Sequence, residues 1–407
     1  MLSRKNKILV LFCFSLILFL IFTFFFIKNK KVIEYKKHRE ALEAKKEKLE
    51  NKKILEDSLN KLIGSIKENT EFRKNNFTPP DPPSINKMKN QGCVVDGMLN
   101  AQSKDAKNAI DLVNRSNCYY LHRSIETWLE VPNFEDIKES ISKIEKKEVV
   151  YGMFIAEAIN TKADFYSKTK ERELNFDDMC KKNSKNSWGE HTCVPSLKEE
   201  EYQIYVFDLV TEAIDLGVQS FMFGQIHYQD NISKAYVEEL LEKIRAYAEF
   251  RGVEIVIGAQ TNDTKKENYL SMFDFIEGGV GINSEGEIEE GPCFSRWWKK
   301  EGDWCWALLW HDDYKSKARN VFVHLDWSGV IGDDMSIFTR MEKNKRAETL
   351  AYLEKYFTSR DVGFMMPMLA VLHKENGGCY GESKKFYSAD NQYSCQDEDV
   401  INKMLKN

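Results

Sequence analysis

From Cys93 onward, short apolar runs alternate with longer stretches of helical periodicity, and few folds accommodate that rhythm. The clearest predicted strands are 149–157, 218–225, 253–260, 273–277, 321–326 and 362–368. Amphipathic helices are predicted between them, at 202–216, 233–251 and 338–359. Two weaker strands precede these, at 93–96 and 119–122, each followed by a helical pattern, near 103–114 and 134–146. Six strands and two make eight. Repeated strand–helix units put strands parallel, so a (β/α)8 TIM-type barrel is the expected α/β fold, with an open doubly wound sheet as the other solution. No G-x-G-x-x-G or P-loop follows a strand, so nothing calls for a nucleotide.

The chain upstream has a different composition. Residues 8–27 are twenty consecutive uncharged and mostly apolar positions, about 30 Å of helix and enough to cross a bilayer. The run exceeds the h-region of a cleaved signal peptide and lacks a small-residue cleavage site, which predicts a transmembrane signal-anchor behind a cytoplasmic tail of residues 1–7. Residues 28–75 are rich in Lys, Glu and Asn, and Leu55, Leu59, Leu62 and Ile66 form one helical stripe. A solvated helical stalk is expected there, with a surface through which copies could associate. Residues 76–92 hold four of the eight prolines and read as a linker, leaving 93–407 as the barrel domain.

Nine cysteines are present, and apart from Cys13 they fall into neighbouring couples: Cys93 with Cys118, Cys180 with Cys193, Cys293 with Cys305, and Cys379 with Cys395. None has C-x-x-C spacing, so structural disulfides are expected in preference to zinc or redox motifs. Disulfides persist in oxidising compartments, which predicts a single-pass membrane protein with its C-terminal domain extracellular or lumenal. The basic residues flanking the apolar run favour the opposite orientation, but long domains translocate largely regardless of charge. Sequons at Asn76, Asn114, Asn231 and Asn262 agree with a glycoprotein. A net charge of −5 without a basic stripe outside the stalk argues against nucleic acid.

In a barrel of this kind the strand C-termini and following loops build the site. Read in order, those positions carry Asp96, Glu126, Glu157, Gln225 with His227, Gln260 with Asn262, Glu277, and His324 with Asp326. Strand alternation puts Gln225 and His227 on one face, and His324 and Asp326 on one face. Glu157, at the end of an apolar run, suits a general acid of raised pKa; Glu277 precedes Gly278-Gly279; Asp326 has an imidazole two residues back. These three carboxylates are the expected catalytic groups, with Gln225, His227, Gln260 and His324 binding substrate hydroxyls. Five of the eight tryptophans lie between Trp297 and Trp310, and Trp327 follows Asp326. Indole rings such as Trp297 and Trp327 offer platforms to the apolar faces of sugars.

Strand-end carboxylates beside tryptophan-bearing loops resemble the architecture of glycoside-hydrolase barrels, without the signature of one family. The resemblance implies two carboxyl groups flanking a glycosidic bond, a carbohydrate substrate and no cofactor. It departs from the commonest group of such barrels, which carries glutamates after the fourth and seventh strands. A non-catalytic glycan- or partner-binding surface protein on a barrel scaffold is the other reading. A metal-dependent hydrolase is a third, although no His-x-His stands on the first strand.

Overall fold

The structure, a computed structural model, describes residues 77–100, 106–231, 234–261, 266–288, 320–326, 334–372, 378–379, 386–392 and 394–405. The expected tail, membrane span and stalk lie outside them, as do Asn262, Trp297 and Trp327. Among the described residues no helix is long and apolar enough to cross a membrane.

Eight segments form the parallel wall: β1 (Gly92–Val95), β2 (Tyr120–Glu126), β3 (Val150–Ile155), β4 (Ser220–Phe223), β5 (Val256–Ala259), β6 (Phe275–Val280), β7 (Asn320–Leu325) and β8. The last is one pass of chain in two pieces, Val362–Phe364 and Met366–Val371. The first piece pairs with β7 and the second with β1, while β1 to β7 pair in sequence order. That double pairing of β8 closes the sheet on itself, so the doubly wound alternative is excluded. Met365, at the break, stays tied to β7 by its N–H to the Val323 carbonyl at 2.8 Å. A short antiparallel strand, β9 (Phe386–Ser388), extends the edge beyond the second piece of β8.

Helices follow the early strands as expected, at Ala106–Arg115, Phe134–Ser142, Glu200–Asp215 and Tyr236–Arg251. The segment after β7 differs from its prediction, dividing into Asp334–Arg340 and Lys343–Thr358. Local chemistry sets several ends. The Asn133 side chain accepts from the Glu135 N–H at the start of one helix, and Gly252 adopts φ 69° to end another.

Three of the four expected crosslinks are formed: Cys93–Cys118, Cys180–Cys193 and Cys379–Cys395. The fourth expected crosslink falls on Cys293 and Cys305, and both of these residues lie outside the described ones. The polypeptide before Cys93 also joins the folded unit. Ser84 caps a helix at Ile85–Asn90, and its Met88 is fully buried in the barrel core.

The core explains the height at which the site sits. Tyr120, Phe275 and Phe322 meet inside the barrel, with ring centroids 6.2 Å apart for Tyr120–Phe322 and 4.9 Å for Phe275–Phe322. Glycines make room for them: a Cβ on Gly258 would collide with the Phe275 ring, and one on Gly152 would lie 3.0 Å from the Tyr120 ring. Because strand side chains repeat every two residues, the inward positions above this aromatic layer are His122, Glu277 and His324. A polar layer therefore rests directly on an aromatic floor.

Candidate active site in the barrel mouth

Glu277 is fully buried at the centre of that polar layer. Its Oε2 lies 3.0 Å from His122 Nε2, and its Oε1 lies 3.4 Å from His324 Nδ1 and accepts from Gln260 Nε2 at 3.2 Å. Burial alone would raise its pKa, but His122, His324 and Arg123 together outweigh burial and hold it below the ordinary value. Burial dominates at His122 and lowers its pKa, so the neutral imidazole is the form we assign. His122 Nδ1 lies 2.8 Å from the Tyr120 hydroxyl, which in turn is 3.0 Å from Ser220 Oγ. At His324 the desolvation that would lower the pKa is outweighed by the contact with Asp326 and the charge of Glu277, and the net shift is upward.

A second cluster surrounds Arg123. Its Nε lies 2.6 Å from Glu126 Oε1 and 3.4 Å from Asp96 Oδ1, and its Nη1 lies 3.6 Å from Asp326 Oδ2. The guanidinium also covers the Phe154 ring at 4.6 Å. Desolvation opposes its charge, yet Asp96, Glu126 and Asp326 hold it strongly protonated. Arg123 reaches the mouth because β2 is irregular: its register against β3 shifts between Leu121 and Ile125, and Arg123 has φ 57°. Simple alternation from His122 would have sent this side chain to the outer face, which is why sequence reasoning passed over it. The available signal was an arginine within an otherwise buried strand. Glu126 ends β2, not the loop after it, and burial lifts its pKa to about 7 despite Arg123.

Glu157 stands two residues beyond β3 and is buried. Burial raises its pKa to about 7, against the opposing hydrogen bonds of its own backbone and of Gln225. Gln225 Nε2 donates to Glu157 Oε1 at 2.6 Å, and the Gln225 N–H donates to Gln260 Oε1 at 3.2 Å. Glu157 Oε2 lies against the Cα of Gly224, where a Cβ would collide with it. Asp326 follows β7 and is the most open of the three expected carboxylates, its side chain 35 % exposed. His324 Nε2 lies 3.3 Å from its Oδ2.

All three expected carboxylates therefore belong to one connected network. Gln225 and Gln260 lead from Glu157 to Glu277, and His324 leads from Glu277 to Asp326. Two expectations are corrected. Glu277 is the third residue of β6, inside the wall and not at its rim, because the strand runs on through Gly278 and Gly279. His227 does not share a strand face with Gln225: the chain turns left-handed at Gln225, φ 33°, and His227 sits on the following helical turn with its ring 3.7 Å from that of Tyr228. His122, like Arg123, went unassigned, since an inward histidine low on a weak strand also reads as an ordinary core residue.

No family model matches this chain, and no curated protein does. Among solved structures it is similar to a GH27 β-L-arabinopyranosidase from Geobacillus stearothermophilus, at 12 % identity and TM-score 0.38, over 80 % of this chain and 77 % of that one. It is also similar to the pneumococcal virulence factor StrH, at 10 % identity and TM-score 0.42, over 79 % and 84 %. A third is the isomalto-dextranase of Arthrobacter globiformis T6, at 10 % identity and TM-score 0.42, over 80 % and 59 %. The barrel assignment rests on the closed ladder of strands.

Proposed function

We propose that this protein is a glycoside hydrolase of glycans or polysaccharide, anchored by residues 8–27 with its barrel outside the cytosol. The observation that carries the reading is the contrast between carboxyl groups in one mouth. Glu157, lifted to about 7 by burial, keeps a proton available near neutral pH and is the general acid. Asp326, half-open and facing both His324 and Arg123, is the nucleophile or base. Glu277, inside the wall of β6 and held by His122, His324 and Gln260, positions His324 and hence Asp326. Gln225 and Gln260 hold the acid and the buried carboxylate in register, and the tryptophan-bearing residues around Trp297 and Trp327 supply the sugar platform. Disulfides at Cys93–Cys118, Cys180–Cys193 and Cys379–Cys395 support the oxidising compartment.

The test is turnover of a panel of oligosaccharides and aryl glycosides by the wild type, Glu157→Gln and Asp326→Asn. Loss of general acid–base action alone lowers kcat by about 10²–10⁴. Glu157→Gln should regain much of its rate on aryl glycosides whose leaving group needs no proton, and Asp326→Asn should not. Full activity in both variants would refute the assignment, and glycan binding without cleavage by the wild type would replace the hydrolase with a glycan-binding protein.

A further inference from the structure

Three polar atoms in the buried layer face one another: His122 Nε2, Glu277 Oε2 and His324 Nδ1, with His122 Nε2 and Glu277 Oε2 3.0 Å apart and no other side chain hydrogen-bonded to any of the three among the described residues. The residues are 0–3 % exposed, and their potential ligand atoms all lie within 4.8 Å of one another. Two imidazoles and a carboxylate brought this close inside a barrel form a donor set for a cation. We propose that they bind one divalent transition metal of the zinc type.

The spacing fits. Tetrahedral bonds of about 2.0–2.1 Å separate neighbouring ligand atoms by about 3.3–3.4 Å. Here His122 Nε2 and Glu277 Oε2 are 3.0 Å apart, and one ligand atom from each of the three residues lies within 4.8 Å of the others, a span that a small inward movement of the side chains closes onto an ion. The chemistry fits as well, since two imidazoles and one carboxylate are a borderline donor set that leaves a fourth position to water.

Each ligand is also held from its other side. A metal-binding imidazole needs its second nitrogen protonated and donating. His122 Nδ1 lies 2.8 Å from the Tyr120 hydroxyl, and His324 Nε2 lies 3.3 Å from Asp326 Oδ2. Each ring thus has a partner on its outward nitrogen: the Tyr120 hydroxyl accepts from His122 Nδ1 in the tautomer that frees Nε2 for the ion, and the second pair has the carboxylate–histidine–metal order. Gln260 Nε2 engages Glu277 Oε1 and leaves Oε2 to the ion. Glu277 alone among these groups would be a buried carboxylate; with two imidazoles at 3.0 and 3.4 Å it becomes one corner of a site. The inference goes beyond the hydrolase reading and stands or falls separately from it.

The experiment uses the full chain in detergent. Elemental analysis as purified, followed by chelator dialysis and titration with ZnCl2 and CoCl2, should give about one metal per chain. The cobalt form should show the visible absorption of a four-coordinate site. Glu277→Gln and His122→Ala should lose that stoichiometry and spectrum, with circular dichroism and melting confirming a fold. If His122→Ala does not fold, Glu277→Gln carries the test, because it keeps the shape and the Gln260 contact. Asp326→Asn, outside the ligand set, should retain the spectrum but bind about 10–100-fold more weakly. Substoichiometric metal in both the purified and the titrated protein overturns the proposal, as does unchanged cobalt binding in folded Glu277→Gln. A glycan-inactive protein that still binds one metal removes only the hydrolase reading; a glycan-cleaving protein without metal removes only this one.

Discussion

Glu157→Gln tests the electrostatics of the mouth through stability as well as rate. A free glutamate titrates at 4.5, and burial moves Glu157 to about 7, with the side chain nearly inaccessible. Between those values the folded state holds a proton that the unfolded chain has released. Stability contributed by the neutral, buried carboxyl is complete below pH 4.5 and is lost as pH rises through 7. At about 1.4 kcal/mol per pH unit, the loss reaches about 3 kcal/mol by pH 8. Glutamine cannot ionise and escapes it. Its carbonyl can keep the 2.6 Å bond from Gln225, but its amide then occupies the Oε2 position against Gly224, which has no hydrogen-bond partner among the described residues. The protonated carboxyl places an O–H at the same position, so the amide adds only one further unsatisfied N–H, about 1 kcal/mol and independent of pH. Urea denaturation of both proteins from pH 4.5 to 8 should therefore show a variant slightly less stable in acid and more stable at pH 8. The difference between the two curves isolates Glu157, because Glu126, also lifted to about 7, is common to both. Parallel curves across the whole range would refute the buried, protonated acid and with it the assignment of Glu157.

Other outcomes follow from the same geometry. Gly224→Ala should displace both the Glu157 carboxyl and the buried Phe154 ring, lowering kcat about 10²-fold and the melting temperature as well; an alanine variant with wild-type kcat would contradict the placement of the carboxyl. Arg123→Met should destabilise by about 3–5 kcal/mol at pH 7.5, by leaving Asp96, Glu126 and Asp326 uncompensated. That penalty should shrink at pH 5.5, where Glu126 is protonated; a penalty independent of pH in denaturation curves would contradict the cluster. Replacing both Cys93 and Cys118 by alanine should cost about 3 kcal/mol, measured the same way, for a crosslink closing a segment of 25 residues. Non-reducing peptide mapping should recover that bond together with Cys180–Cys193 and Cys379–Cys395, and the same map tests the expected pairing of Cys293 with Cys305.

Much of the fold was legible because it depends on local periodicity. Two-residue and helical repeats marked every barrel strand, and short sequence separations marked the three disulfides seen among the described residues. Glu157 and Asp326 were legible for the same reason: each follows an apolar run that ends at the mouth. Glu277 was found as a residue but set too high, because Gly278 and Gly279 read as a loop while their parallel partners, Val323 and His324, hold them in the wall.

What periodicity could not reach was whatever depends on contacts between strands distant in sequence. Closure of the barrel required β8 to change partners at Met365, from β7 to β1, and no residue pattern announces such a switch. The inward reach of Arg123 came from a left-handed residue at an irregularity in the pairing of β2 with β3, which overrode the alternation of side chains. His122, Glu277 and His324 stand on three separate strands and converge only once the sheet curls. Sequence by itself determined which strands exist and, where a strand is regular, which of its residues share a face. Only the tertiary structure decided which of them meet, because distances across a barrel are set by closure and by the aromatic layer beneath, not by neighbours along the chain.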